Sequence, residues 1–322
     1  MYSVKDTATW FIAKRLTVID CERMKKIVFV PGKNPKPHPP EHKRQLWRCL
    51  VEGVRRVDET TAALLSKDED CFQLIAWNHL YYQQYKSIEA DLPAIDALLA
   101  KPGPTQEDMD EAGHWRLRTS RLLYKLADHF PILIDLLPDP SVKAAIKETE
   151  RYFHNEDEIA DQVRELLKQP LREMFDSGDE ILLIGHSMGS VIAWDSLWEL
   201  WNGEENLGRV DLFLTLGSPL AMEFVRHRLL GAKADEAHRY TGNIRRWLNI
   251  SSVGDLTALD RGVTDDFAGM IKAGLVESIH DEYKDVYNYF RNEYGLNVHR
   301  SYGYLVNRNV GRAISDWWRQ SG

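Results

Sequence analysis

Gly185-His186-Ser187-Met188-Gly189 sets a hydroxyl between two glycines, after the apolar run Ile181-Leu182-Leu183-Ile184 and before Val191-Ile192-Ala193-Trp194. A strand that turns sharply into a helix leaves its bend residue little room. Glycines two before and two after remove the side chains that would collide there. The hydroxyl then stands at the carboxyl end of a strand. The first helix N–H groups beside it have no intrahelical partner and can receive an oxyanion. The chemistry this arrangement suits is nucleophilic attack on a carbonyl carbon.

A serine hydroxyl needs a general base at neutral pH, and the usual base is an imidazole oriented by a carboxylate. In the α/β-hydrolase arrangement, which a serine on a strand–turn–helix bend resembles, the acid and then the base follow the serine along the chain. His280 and His299 are the histidines beyond the plausible acids. His299 lies in Asn297-Val298-His299-Arg300-Ser301-Tyr302, on a loop ahead of a final helix expected from about Tyr304 to Trp318. It is the favoured base. His280, in Ser278-Ile279-His280-Asp281, reads as the end of a short strand or the start of a helix and is the alternative. For the acid, Asp255 follows Trp247-Leu248-Asn249-Ile250-Ser251-Ser252 through the turn-prone pair Val253-Gly254. Asp260, Asp265 and Asp266 are its rivals.

The bend supplies one oxyanion donor, the N–H of Met188. The second is expected from the loop after the first buried strand, Pro31-Gly32-Lys33-Asn34-Pro35-Lys36-Pro37. Proline has no N–H, which restricts the donors to Gly32, Lys33 and Asn34. Gly32 permits the conformation that aims the following N–H inward, so Lys33 is preferred and Asn34 comes second. The proline-rich stretch from Pro31 to Pro40 could instead serve as a ligand for a partner's aromatic groove. Trp77, Tyr81, Tyr82 and Tyr85 could line an apolar acyl or aryl pocket, or simply pack cap against core.

The elements that must position these groups alternate. Ile27-Val28-Phe29-Val30, Phe72 to Trp77, Ile181 to Ile184, Leu212-Phe213-Leu214 and Trp247 to Ile250 are short apolar runs, as strands buried on both faces require. Helices are expected between them, at Glu41–Leu65 and Asp157–Phe175. Val191, Trp194, Trp198 and Trp201 form a stripe suited to packing on a sheet. The expectation is an α/β fold with a mostly parallel central sheet flanked by helices. Its core would comprise about residues 26–77 and 151–322. The interval 78–150 is far longer than a crossover needs and reads as an inserted helical cap. Tyr81, Tyr85, Ile88 and Leu92 share a face there. So do Leu122, Leu126 and Phe130. Thr105-Gln106-Glu107-Asp108 resembles a capping box, and Asp139-Pro140 an N-cap followed by proline.

On these residues the chain resembles serine hydrolases of the α/β-hydrolase superfamily, near its lipase and esterase branches. The matching segments are Gly185 to Gly189, Thr215-Leu216-Gly217-Ser218-Pro219-Leu220, Trp247 to Asp255 and His299 to Tyr302. The resemblance implies the α/β-hydrolase fold, a Ser187–His299–Asp255 triad and hydrolysis through an acyl-enzyme. The expected substrate is a small-molecule carboxylic ester of short or medium acyl length, since no exposed apolar run suggests adsorption to lipid. A thioesterase or acyltransferase would use the same triad. A binding protein on the same fold would lack turnover.

Composition narrows the rest. The chain has 322 residues, 43% hydrophobic and 28% charged, with a net charge of −8, so a nucleic-acid partner is not expected. Three widely spaced cysteines give neither a disulfide framework nor a zinc knuckle. No His-Glu-x-x-His, Walker loop or Gly-x-Gly-x-x-Gly occurs, so no metal and no cofactor is expected. Without a secretory signal or a membrane-length apolar stretch, the expected location is cytoplasmic.

Overall fold

A computed structural model describes residues 24–114, 149–206, 208–236, 238–256 and 262–320. Six strands form one sheet: β1 (Lys25–Val30), β2 (Phe72–Leu74), β3 (Glu180–His186), β4 (Val210–Leu216), β5 (Ile244–Ile250) and β6 (Ser278–Glu282). The order is β2-β1-β3-β4-β5-β6, and each neighbouring pair is parallel. All carboxyl ends therefore open on one edge, and Ser187 follows β3 in the interior of the sheet.

The helices that concern the core and the site are, in chain order, α1 (Pro39–Arg55), α2 (Glu59–Leu65), α3 (Trp77–Tyr82), α4 (Leu92–Ala100), α5 (Gln106–Ala112), α6 (Ile159–Ser177), α7 (Met188–Trp198), α8 (Ser301–Leu305) and α9 (Arg308–Arg319), and two further short ones span Glu223–Arg226 and Ala268–Lys272. They cover both faces. Alternate strand residues go to opposite sides, as a period of two dictates. Ile27, Phe29, Leu182 and Ile184 pack with Leu46, Leu50 and Val54 of α1 and with Ile314 and Trp317 of α9. Val28, Val30, Ile181 and Leu183 pack with Val163, Leu167 and Leu171 of α6 and with Val191 and Trp194 of α7. Burial on both faces is why these strands read as unbroken apolar runs.

Three expected elements are shorter than the sequence pattern suggests. The helix expected at 41–65 is two helices, because Asp58 turns out of the first and caps the second, accepting from the Thr61 N–H. The strand expected through Trp77 stops at Leu74, and Trp77 opens α3. The final helix is likewise split, with Asn307 capping α9. The proline-rich loop ends with Pro39 and Pro40 in the first turn of α1, where a missing N–H costs nothing.

Within the expected cap, residues 78–114 are described. The capping box is present, with Thr105 and Asp108 bonded reciprocally at the start of α5. Ile95 and Leu98 of α4 are buried in the same cluster as α1, so this part of the interval belongs to the core. The stripe Leu122, Leu126 and Phe130, and the pair Asp139-Pro140, lie outside the described residues.

The chain just after this interval is tied to α7 by a buried acid. Asp195 accepts from the Tyr152 hydroxyl at 3.0 Å and from the Leu230 N–H at 2.9 Å. Burial pushes its carboxyl up to about 7. The unfolded chain releases that proton near pH 4, so between about pH 4 and about pH 7 the native state binds more protons than the unfolded state. Stability from this group is therefore full below about pH 4 and is lost as pH rises through about 7. Asp195→Asn is expected to flatten this part of the profile in urea unfolding followed across the same window.

Candidate active site

Ser187 lies at the bend between β3 and α7, with φ 53° and ψ −126°. A residue with a Cβ in such a conformation carries about 1–3 kcal/mol of strain and persists only where its surroundings over-determine it. Here the Ser187 N–H donates to the Leu216 carbonyl at 2.9 Å. Its own carbonyl accepts from the Ser190 hydroxyl at 2.6 Å, and that hydroxyl is bonded to the Ser218 hydroxyl at 2.7 Å. The flanking glycines each make room for a different neighbour. A Cβ on Gly185 would lie 2.6 Å from Ser190 Cα at the start of α7. One on Gly189 would lie 2.7 Å from the Pro31 carbonyl oxygen and would also run into that of Val30, at the end of β1.

Asp255 and His299 meet at this edge of the sheet. His299 Nδ1 lies 2.8 Å from Asp255 Oδ2, and Asp255 is fully buried. Tyr304, from α8, donates its hydroxyl to the same oxygen at 2.6 Å and accepts the Ser252 N–H at 2.9 Å. Gly217, next to the residue that holds the Ser187 N–H, has φ 53°. A Cβ there would lie 2.7 Å from Asp255 Oδ2 and 3.1 Å from His299 Nδ1. Only glycine fits both the backbone and the space.

With Nδ1 engaged by the carboxylate, Nε2 is the His299 nitrogen left to exchange a proton. Among the described residues no hydrogen bond joins it to the Ser187 hydroxyl. In unliganded serine sites this contact is often long and tightens when substrate binds.

His186 lies beside His299, with its ring centroid 4.8 Å from that of His299. Its Nε2 is 2.8 Å from the His299 carbonyl oxygen, which can only accept, so Nε2 carries the hydrogen. Burial, then the nearness of His299 and Lys36, pushes its pKa well below the usual histidine range. His186 is therefore a neutral brace on the loop that carries His299.

The rival residues are elsewhere. His280 is exposed on β6, in register with Leu248, which pairs with Leu214, which pairs with Ile184. That places it three strands, about 14 Å, across the sheet from β3 and well back from its carboxyl end. Asp266 pairs with Arg226. Asp260 lies outside the described residues.

Of the expected oxyanion donors, Met188 is the first residue of α7. The Lys33 loop also reaches the serine: a Cβ on Gly32 would lie 2.9 Å from Ser187 Cβ. Lys33 itself is half-buried, and Asn34 is exposed with φ 75°. The expected aromatic pocket is divided. Trp77 and Tyr81 are buried in the core, where Trp77 Nε1 donates to the Pro31 carbonyl at 2.8 Å, and Tyr82 packs against them. They share this cluster with Val163, Leu167 and Leu171 of α6. Tyr85 borders a shallow recess with Lys36, His42, Asn78 and His79 in its wall.

Sequence reasoning missed Tyr304, Asn78 and the neutral role of His186. Tyr304 read only as the first residue of a helix, and Asn78 only as the residue after an expected strand. Neither carries a motif, because each acts through a contact made by distant chain segments.

Among the described residues no group of three or more His, Cys, Asp or Glu is placed to hold a metal ion, and no helix is long and apolar enough to cross a membrane. No family model, curated protein or solved structure matches the chain.

Proposed function

We propose that the chain is a serine hydrolase of the α/β-hydrolase type, cleaving carboxylic esters of short or medium acyl length through an acyl-enzyme. The observation that carries this reading is the buried Asp255 carboxylate on His299 Nδ1, at 2.8 Å, beside a serine held at φ 53° on a strand-to-helix bend. The parallel sheet supports it too, since the acid loop leaves the carboxyl end of a later strand and the base loop comes later still.

In this mechanism His299 Nε2 takes the Ser187 proton as Oγ attacks the ester carbonyl carbon. Asp255 keeps the imidazole in the tautomer with hydrogen on Nδ1 and stabilises the imidazolium that forms. N–H groups of Met188 and of the Gly32–Asn34 loop receive the developing oxyanion. The imidazolium then gives its proton to the leaving alkoxide, and the carbon–oxygen bond breaks. Water enters, loses a proton to His299, and releases the acid by the same steps in reverse.

The test is an acyl-length series of chromogenic esters. The expected result is turnover of soluble short and medium esters that exceeds turnover of long-chain emulsions. Faster hydrolysis of the emulsions would overturn the substrate assignment, and no hydrolysis of any member would overturn the reaction.

A further inference from the structure

The loop that supplies the second oxyanion donor is held by its carbonyl oxygens. Trp77 Nε1 donates to the Pro31 oxygen at 2.8 Å, Asn78 Nδ2 to the Gly32 oxygen at 2.8 Å, and Lys36 Nζ to the Lys33 oxygen at 2.7 Å. Asn78 Nδ2 also donates to the Asn34 oxygen at 3.0 Å. In a trans peptide the carbonyl oxygen and the next residue's N–H point in opposite directions. Fixing the oxygens of Pro31, Gly32 and Lys33 therefore fixes the N–H groups of Gly32, Lys33 and Asn34 in turn. These are the three residues of the loop between Pro31 and Pro35, and each carries an N–H.

Asn78 has the central place. It is 1% exposed and spends both amide hydrogens on this loop. The peptide it grips through the Gly32 oxygen carries the Lys33 N–H. Gly32 is also the residue whose added Cβ would strike Ser187. A shift of Asn78 is thus passed to the serine through a single peptide.

We propose that Asn78 is a positioning residue for oxyanion stabilisation, turning the Lys33 N–H by holding the Gly32 and Asn34 carbonyls; this rests on the hydrolase reading above. Asn78 touches no reacting atom. Its contribution belongs to the transition state, where charge reaches the carbonyl oxygen, and not to ground-state binding.

The experiment is ester hydrolysis by the full chain, Asn78→Leu and Asn78→Asp, with thermal melts confirming the fold. Asn78→Leu is expected to lower kcat by about 10–100-fold with KM nearly unchanged, the usual cost of misplacing a catalytic group by about 1 Å. Asn78→Asp keeps the shape, so it serves if the leucine variant does not fold. Its carboxylate repels both carbonyls, whereas its protonated form can donate to one. The ratio of its kcat to that of wild type is therefore expected to rise as pH falls. Lys36, His42 and His79 line the same recess in both proteins, which is why the ratio is the readout. An active wild type beside Asn78→Leu of unchanged kcat, or of raised KM and unchanged kcat, overturns the positioning role alone. A flat ratio for Asn78→Asp does the same. A wild type that hydrolyses no ester overturns the hydrolase reading and this role with it.

Discussion

Ser187→Ala is expected to lower kcat for ester hydrolysis on the order of 10⁵–10⁶-fold, since removal of the nucleophile forfeits the covalent route and leaves only binding and the oxyanion donors. The melting temperature should hardly move, because the alanine Cβ occupies the serine's place at φ 53°. Ser187→Gly separates the two consequences of the bend. It is equally inactive, but glycine reaches this backbone conformation without the strain of about 1–3 kcal/mol. Against that gain stands the greater freedom of glycine in the unfolded chain, about 0.5–1 kcal/mol. The net expectation is a protein more stable by about 1 kcal/mol and catalytically dead. Urea unfolding of the three proteins measures the difference. Loss of stability in Ser187→Gly would mean that the positive φ is not a cost of function.

Asp255→Asn is expected to lower kcat by about 10⁴-fold with little change in KM. The carboxylate, itself fully buried, receives two donors on one oxygen, His299 Nδ1 at 2.8 Å and the Tyr304 hydroxyl at 2.6 Å. An amide oxygen can replace one acceptor position, but the NH₂ group that comes with it is a donor facing donors. The ring then settles with hydrogen on Nε2, where the serine proton has to go. Nor can a neutral amide stabilise the imidazolium. Kinetics across pH check this: the variant should remain impaired at the pH where wild type is fastest. Turnover within about tenfold of wild type would show that the base is oriented by something other than this carboxylate.

What the sequence made legible was whatever local pattern controls. The strands β1, β3, β4 and β5 are apolar runs because both sheet faces are covered, and the bend is a five-residue pattern because steric room there is set by close neighbours. His299 and Asp255 were narrowed by chain order and loop position, and the structure brings these two into contact. Contacts between remote segments left no such trace. Tyr304 reaches Asp255 only because α8 passes over the β5 loop, and Asn78 reaches Gly32 only because β2 and β1 are neighbours. Trp77 shows what residue type leaves open: an aromatic at a strand end suits a pocket or packing, and here its indole is buried in the core and donates to the Pro31 carbonyl.

The most direct measurement is covalent labelling with a fluorophosphonate, read by intact mass and peptide mapping. The account predicts one adduct per chain, on the peptide containing Ser187, absent in Ser187→Ala and greatly slowed in His299→Ala. A folded wild-type chain that stays unlabelled, or carries the phosphonate on a different residue, would contradict it.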